Sequence, residues 1–113
     1  MKIAFTATGT DWDAKIDPRF GRTDFLLFYD EEKDTMTSLD NRDIMNVAHG
    51  AGPKTAQHIY DNAPQVLITG NGPGGNAAAI LSRMNLRILV GAGGMTVREA
   101  YQAYRENRLR QGG

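Results

Sequence analysis

The sequence predicts one α/β domain built on a five-stranded mixed sheet of order 3-2-1-4-5, with the second strand antiparallel to the others. Three observations carry that prediction. Short apolar runs, above all Val66-Leu67-Ile68, are uninterrupted by polar residues and read as strands buried on both faces, as in the middle of a parallel sheet. Glycine-rich elbows follow two of these runs, at 70–75 and 91–94, and each opens onto a helical period. The 113 residues suffice for a single modest core.

In chain order, residues 2–8 read as the first strand, with Ile3, Phe5 and Ala7 on one face and Ala4 on the other. An irregular segment, 10–23, follows; its length in so small a domain predicts a functional or mobile connection. Phe25 to Tyr29 forms the second strand, a polar turn runs from Glu31 to Asp34, and Thr35 to Leu39 alternates as a weaker third strand. Residues 40–50 have no sustained period and read as loop. Pro53 suits a first helical turn, Ala56, Ile59, Tyr60 and Ala63 form its stripe, and Pro64 stops it. After the strand at 66–69 comes the first elbow, then a helix along Ala77, Ile80, Leu81 and Met84 with Asn76 as its expected cap. Leu86 to Val90 is the fifth strand. Thr96 and Glu99 have the spacing of a capping box for a last helix along Val97, Ala100, Tyr101 and Tyr104, which Asn107 ends. The domain is thus expected over 1–107, with 108–113 as a flexible tail.

Composition excludes several functions. Formal net charge is zero, so the chain as a whole has no electrostatic reason to seek nucleic acid or an anionic membrane. Charge is uneven: residues 83–113 hold six arginines and two acids, which reads as a solvated basic face or a docking patch on the last helices. With no cysteine there is no disulfide, thiolate nucleophile, zinc ribbon or cysteine-ligated iron–sulfur cluster. Met1-Lys2-Ile3-Ala4-Phe5 enters a strand at once and lacks a signal-peptide h-region, and no apolar run approaches membrane-spanning length, so a cytoplasmic location is expected.

A crevice is predicted beyond the carboxyl ends of strands one and four, where connections leave to opposite sides and the loops 9–23, 70–76 and 91–96 meet. Its central feature is Q-V-L-I-T-G-N-G-P-G-G-N at 65–76, a strand, a glycine elbow and a helix N-terminus, which is either an anion-receptive corner or a plain tight turn. The elbow lacks the Lys-Ser or Lys-Thr of a Walker loop and is out of register with G-x-G-x-x-G. His49, in A-H-G-A-G, is the best candidate metal ligand, against the alternative of an ordinary surface histidine; His58 reads as solvated. Arg19 and Arg22 could clasp a multivalent anion, or Arg22 could pair with Asp17 or Asp24 while Phe20 plugs the core. Met45 reads as gap-filling. Asp11, Asp13 and Asp17 lack the glycine and distal glutamate of a calcium loop, and neither Ser38 nor Ser82 sits where a hydrolytic triad needs it, so no enzymatic activity is expected.

Taken together, P-R-F-G-R at 18–22, H-G-A-G at 49–52, L-I-T-G-N-G-P-G-G-N-A at 67–77 and G-M-T-V-R-E-A-Y at 94–101 resemble the dinitrogenase iron-molybdenum cofactor-binding family. The resemblance spans nearly the whole chain, and that family includes nitrogenase cofactor carriers and small stand-alone proteins. It implies a ribonuclease-H-like fold of three α/β/α layers and a role in biosynthesis, storage or delivery of an anionic molybdenum-containing sulfide cluster, molybdenum–iron or molybdenum–copper, reversibly bound. Carried over by motif, the binding residues are Arg19 and Arg22, His49 and Gly50, and Asn71, Gly72 and Gly74, with His49 as the metal ligand. The elbow departs from the simpler G-x-x-G-x-x-A of many relatives by its extra Pro73 and glycine. Two other readings stay open: a regulatory domain whose basic last helix docks on a partner such as a ParA-type ATPase, and a small enzyme acting on a phosphate ligand.

Overall fold

The computed structural model describes residues 1–43 and 50–112. In order, the elements are β1 (Lys2–Ala7), β2 (Phe25–Asp30), β3 (Thr35–Asp40), α1 (Ala51–Asn62), β4 (Val66–Ile68), α2 (Gly75–Leu81), β5 (Arg87–Val90), α3 (Val97–Arg105) and β6 (Arg110–Gln111). The sheet order is β3-β2-β1-β4-β5-β6. The expected order of the first five strands holds: β2 is antiparallel to β1 and β3, while β1, β4 and β5 run parallel.

The sixth strand is a correction, because it lies within the segment expected as a tail. Arg110 pairs with Val90 and Gln111 with Leu89, and the Gly112 amide donates to the Ile88 carbonyl at 2.9 Å. A Cβ at Gly112 would lie 2.5 Å from Val90 Cγ1, so a glycine lets the chain lie flat on β5.

Alternation along β1 splits the core in two. Ile3, Phe5 and Ala7 face one layer with Leu27, Val66, Ile68, Leu89, Val97 and Ala100, where α3 packs. Ala4 faces the other, with Phe20, Leu26, Phe28, Ala56, Ile59, Leu67, Ala77 and Leu81, where α1 and α2 pack side by side. Helices on both faces of the sheet make three layers. Because β1, β4 and β5 run parallel, the helices that connect them run back, and α1, α2 and α3 all begin at the carboxyl rim of the sheet. Their start is therefore shared with the loops that follow β1, β4 and β5.

Candidate functional site

The loops at that rim are locked together by close backbone approach. A Cβ at Gly70 would lie 2.6 Å from Pro18 Cα, and the Asn71 amide donates to the Pro18 carbonyl at 2.9 Å. A Cβ at Gly21 would lie 3.0 Å from Gly52 Cα and N, so the Pro18–Arg22 stretch meets the first turn of α1, and a Cβ at Gly52 would touch Ala77 Cβ at 3.4 Å, which sets that turn against α2. The Gly91 amide donates to the Gly70 carbonyl, which ties in the second elbow. Loop 10–23 is therefore stapled in place, since Thr8 N donates to Lys15 O and Ile16 N to Met95 O.

Beneath the rim lies a buried polar floor. The Thr6 hydroxyl donates to the Asp17 carbonyl at 2.9 Å and sits 2.8 Å from the Thr69 hydroxyl, which reaches the Asn71 carbonyl at 3.2 Å. Thr6, Thr69 and Asp17 are all buried. This network joins β1, β4, the arginine loop and the elbow, so a displacement of one strains the others.

Arg19 is held by Asp17 in a two-point ion pair, Nε to Oδ1 at 3.1 Å and Nη2 to Oδ2 at 3.0 Å, with Asp24 3.6 Å away. Burial alone would raise the Asp17 carboxyl, but hydrogen bonds from the Arg19 side chain and from the amides of Arg19 and Asp24 outweigh it and hold its pKa below the usual range. The same bond raises the Arg19 pKa. The Asp17 carboxylate, which the sequence alternative offered together with Asp24 as a partner for Arg22, is held by Arg19, whose side chain is 47% exposed. Arg22 is half-buried in the same stretch, and Phe20 plugs the core as the alternative expected. His49 and Met45 lie outside the described residues.

Of the elbow residues expected to bind, Asn71 has spent its amide on Pro18, leaving only its exposed side chain for a ligand. Gly72 and Gly74 are exposed, and a Cβ at Gly50, Gly74 or Gly75 would meet nothing within 4 Å. Gly74, rather than Asn76, is the N-cap of α2, so the expected Asn76 cap is corrected; Asn76 lies inside the helix. Gly50, at φ +81°, is the N-cap of α1. Neither cap position carries a side-chain hydrogen bond, and neither helix has an acid in its first turn. The start of α2 is the open one, since Gly74, Gly75 and Asn76 are exposed and its first amides align with the helix dipole. In α1, by contrast, Ala51 is buried, Gly52 lies under Gly21 and Pro53 has no amide hydrogen.

Helix α3 closes its own start. Thr96 Oγ1 accepts from the Glu99 amide at 3.1 Å and Glu99 Oε1 from the Thr96 amide at 2.8 Å, the capping box read from the sequence. Its basic face is largely neutralised within the chain: Arg98 pairs with Asp13, Arg105 with Glu31, and Arg108 with Glu106. Among the described residues there is no group of three or more His, Cys, Asp or Glu side chains that could hold a metal ion, and no helix is long and apolar enough to cross a membrane.

Sequence reasoning missed Asp17 as the group that orients Arg19, and Thr6 and Thr69 as the floor. The spacing Asp17-x-Arg19 was the available signal, because a carboxylate two residues ahead of an arginine can accept its amide and its guanidinium together, as here.

Comparison with known proteins bears on this geometry. A family model described as dinitrogenase iron-molybdenum cofactor matches residues 1–107. The apo form of the orange protein from Desulfovibrio gigas is similar in structure, with a TM-score of 0.90 and 30% sequence identity over 99% of this chain and 92% of that one. A putative NifB protein from Thermotoga, described as belonging to the DUF35 family, gives a TM-score of 0.81 and 31% identity over 97% of this chain and 91% of that one. No curated protein matches the chain.

Proposed function

We propose, from the premise that this chain belongs to the dinitrogenase iron-molybdenum cofactor family, that it reversibly binds an anionic molybdenum-containing sulfide cluster at the rim where α1 and α2 begin, and carries it without chemical turnover. The observation that supports this most is the meeting of an oriented guanidinium with bare amides. Arg19, backed by Asp17, borders the elbow through the Pro18–Gly70 contact, and Gly74 and Gly75 leave open space at the first turn of α2.

The residues fit such a cargo. A preformed cluster supplies its own bridging sulfides, so a chain without cysteine need offer only charge, amide donors and at most one imidazole. Arg19 supplies fixed charge, Gly72 and Gly74 leave a sulfide room to approach the backbone, and His49 and Gly50 complete the set inferred from the H-G-A-G motif. Without a thiolate anchor the cargo exchanges readily, which suits delivery to a recipient.

Anaerobic mixing with tetrathiomolybdate, alone or with copper(I) or iron(II), tests this. The expected result is a visible absorbance that co-elutes with the protein through gel filtration and weakens in Arg19→Ala and His49→Ala. Colour that separates from the protein under every condition would end the carrier reading.

A further inference from the structure

We propose that Arg110, on the edge strand β6, is a second cationic arm of this rim and sets its preference for doubly over singly charged anions; the inference rests on the carrier reading. Three observations carry it. First, cross-strand partners share a face, so Arg110, opposite Val90, projects to the side on which Ile88 packs against the α1 and α2 layer. That is the side from which the elbow and α2 rise.

Second, the register places Arg110 beside the last residue of β5, and its guanidinium lies over Gly91: a Cβ there would be 3.8 Å from Nε and 3.9 Å from Nη2. Gly91 in turn donates its amide to Gly70, whose other flank is Pro18. Gly70 is thus bracketed, by Pro18 and Arg19 on one side and by Gly91 and Arg110 on the other. β6 is two strand spacings from β4, about 10 Å, a gap that an arginine side chain and an anion several atoms wide can close between them.

Third, Arg110 forms no ion pair among the described residues, whereas Arg98, Arg105 and Arg108 each have a carboxylate. An arginine held in a strand but left without a carboxylate keeps its charge for a ligand. A second arm across the elbow adds attraction in proportion to ligand charge, so it raises affinity for a dianion more than for a monoanion.

The test measures binding of tetrathiomolybdate to the full chain and to Arg110→Ala, Arg110→Lys, Arg108→Ala and Arg19→Ala, with molybdate and perrhenate as doubly and singly charged tetrahedral competitors. Thermal unfolding of each variant without ligand checks the fold. Arg110→Ala is expected to weaken tetrathiomolybdate binding about tenfold, the loss of one charge-assisted contact, and to reduce the preference for molybdate over perrhenate. Arg110→Lys should retain part of both, and Arg108→Ala should match the parent. If Arg110→Ala binds like the parent while Arg19→Ala does not, or if Arg108→Ala loses as much as Arg110→Ala, the assignment to Arg110 is wrong and the carrier reading stands. If the parent itself does not bind, both fall.

Discussion

Helices α1 and α3 begin at the same rim of one sheet, on opposite faces, and they begin in opposite ways. α3 closes its first turn with its own side chains, Thr96 and Glu99, and loop residues finish the closure: Val97 N donates to Ala14 O and Arg98 N to Trp12 O. α1 starts from a left-handed glycine with no side-chain cap, and its neighbour α2 starts from an extended one, Gly74, also uncapped. The difference teaches where stability and binding reside. On the α3 face polar groups are satisfied within the chain and rings fill the remaining space, with Trp12 4.8 Å from Tyr29 and 5.6 Å from Tyr101. On the other face, neither α1 nor α2 has a side-chain cap among the described residues, and the exposed first turn of α2 keeps its amides for something outside the chain.

The largest expected effect separates the two faces by stability alone. Trp12→Ala removes a ring packed edge-on against Phe5, Tyr29 and Tyr101. It should cost about 3 kcal/mol in chemical denaturation and leave tetrathiomolybdate affinity near the parent value. Equal loss of binding would mean that the faces are coupled and the contrast is false. On the opposite face, Gly70→Ala drives a methyl into the Pro18 backbone. The expected cost is about 2 kcal/mol, together with lost binding, because Pro18 carries Arg19 with it.

Gly75→Glu sharpens the comparison by making α2 resemble α3. Nothing lies within 4 Å of a Cβ at this position, and an acid in a first helical turn interacts well with the dipole. The unliganded protein should gain about 0.5 kcal/mol, while binding of an anionic cluster falls by more than about tenfold through like-charge repulsion. Opposite signs in the two assays are the expected signature. A variant that is more stable and binds as before would show that the cargo does not sit over α2.

The two faces also differ in how far the sequence revealed them. Apolar runs located β1, β2 and β4 and their order, because burial on both faces leaves an unbroken hydrophobic signature. The α3 cap was legible for a similar reason, since a capping box is a local pattern of two side chains. β6 was not: Arg110 and Gln111 are exposed, and their pairing comes from backbone bonds to β5, which side-chain pattern does not encode. At the candidate site, the motifs pointed to the arginine loop and the elbow. They did not by themselves reveal that Asp17 holds Arg19, although that contact is local: the carboxylate accepts the Arg19 amide and guanidinium two residues on. Nor could they reveal that the Asn71 amide is already used, because that bond depends on Gly70 letting Pro18 approach.

The smallest expected effect is a split of pH sensitivity between the faces. Asp17 has a folded pKa below its unfolded value, so its stabilisation is present above about pH 4 and is lost as pH falls through the folded value. Tyr29, on the α3 face, is pushed up to about 12, first by the hydrogen bond its hydroxyl donates to Asp34 and then by burial. A raised phenol works in the other direction: its stabilisation is present below the unfolded value of about 10 and disappears as pH rises towards about 12. Thermal unfolding followed across pH should therefore show an acid limb that flattens in Asp17→Asn and an alkaline limb that flattens in Tyr29→Phe. Because Asp17 orients Arg19, Asp17→Asn should also weaken binding at neutral pH, whereas Tyr29→Phe should not. If each variant flattened both limbs, the two faces would be one electrostatic unit, and the assignment of binding to one and stability to the other would fail.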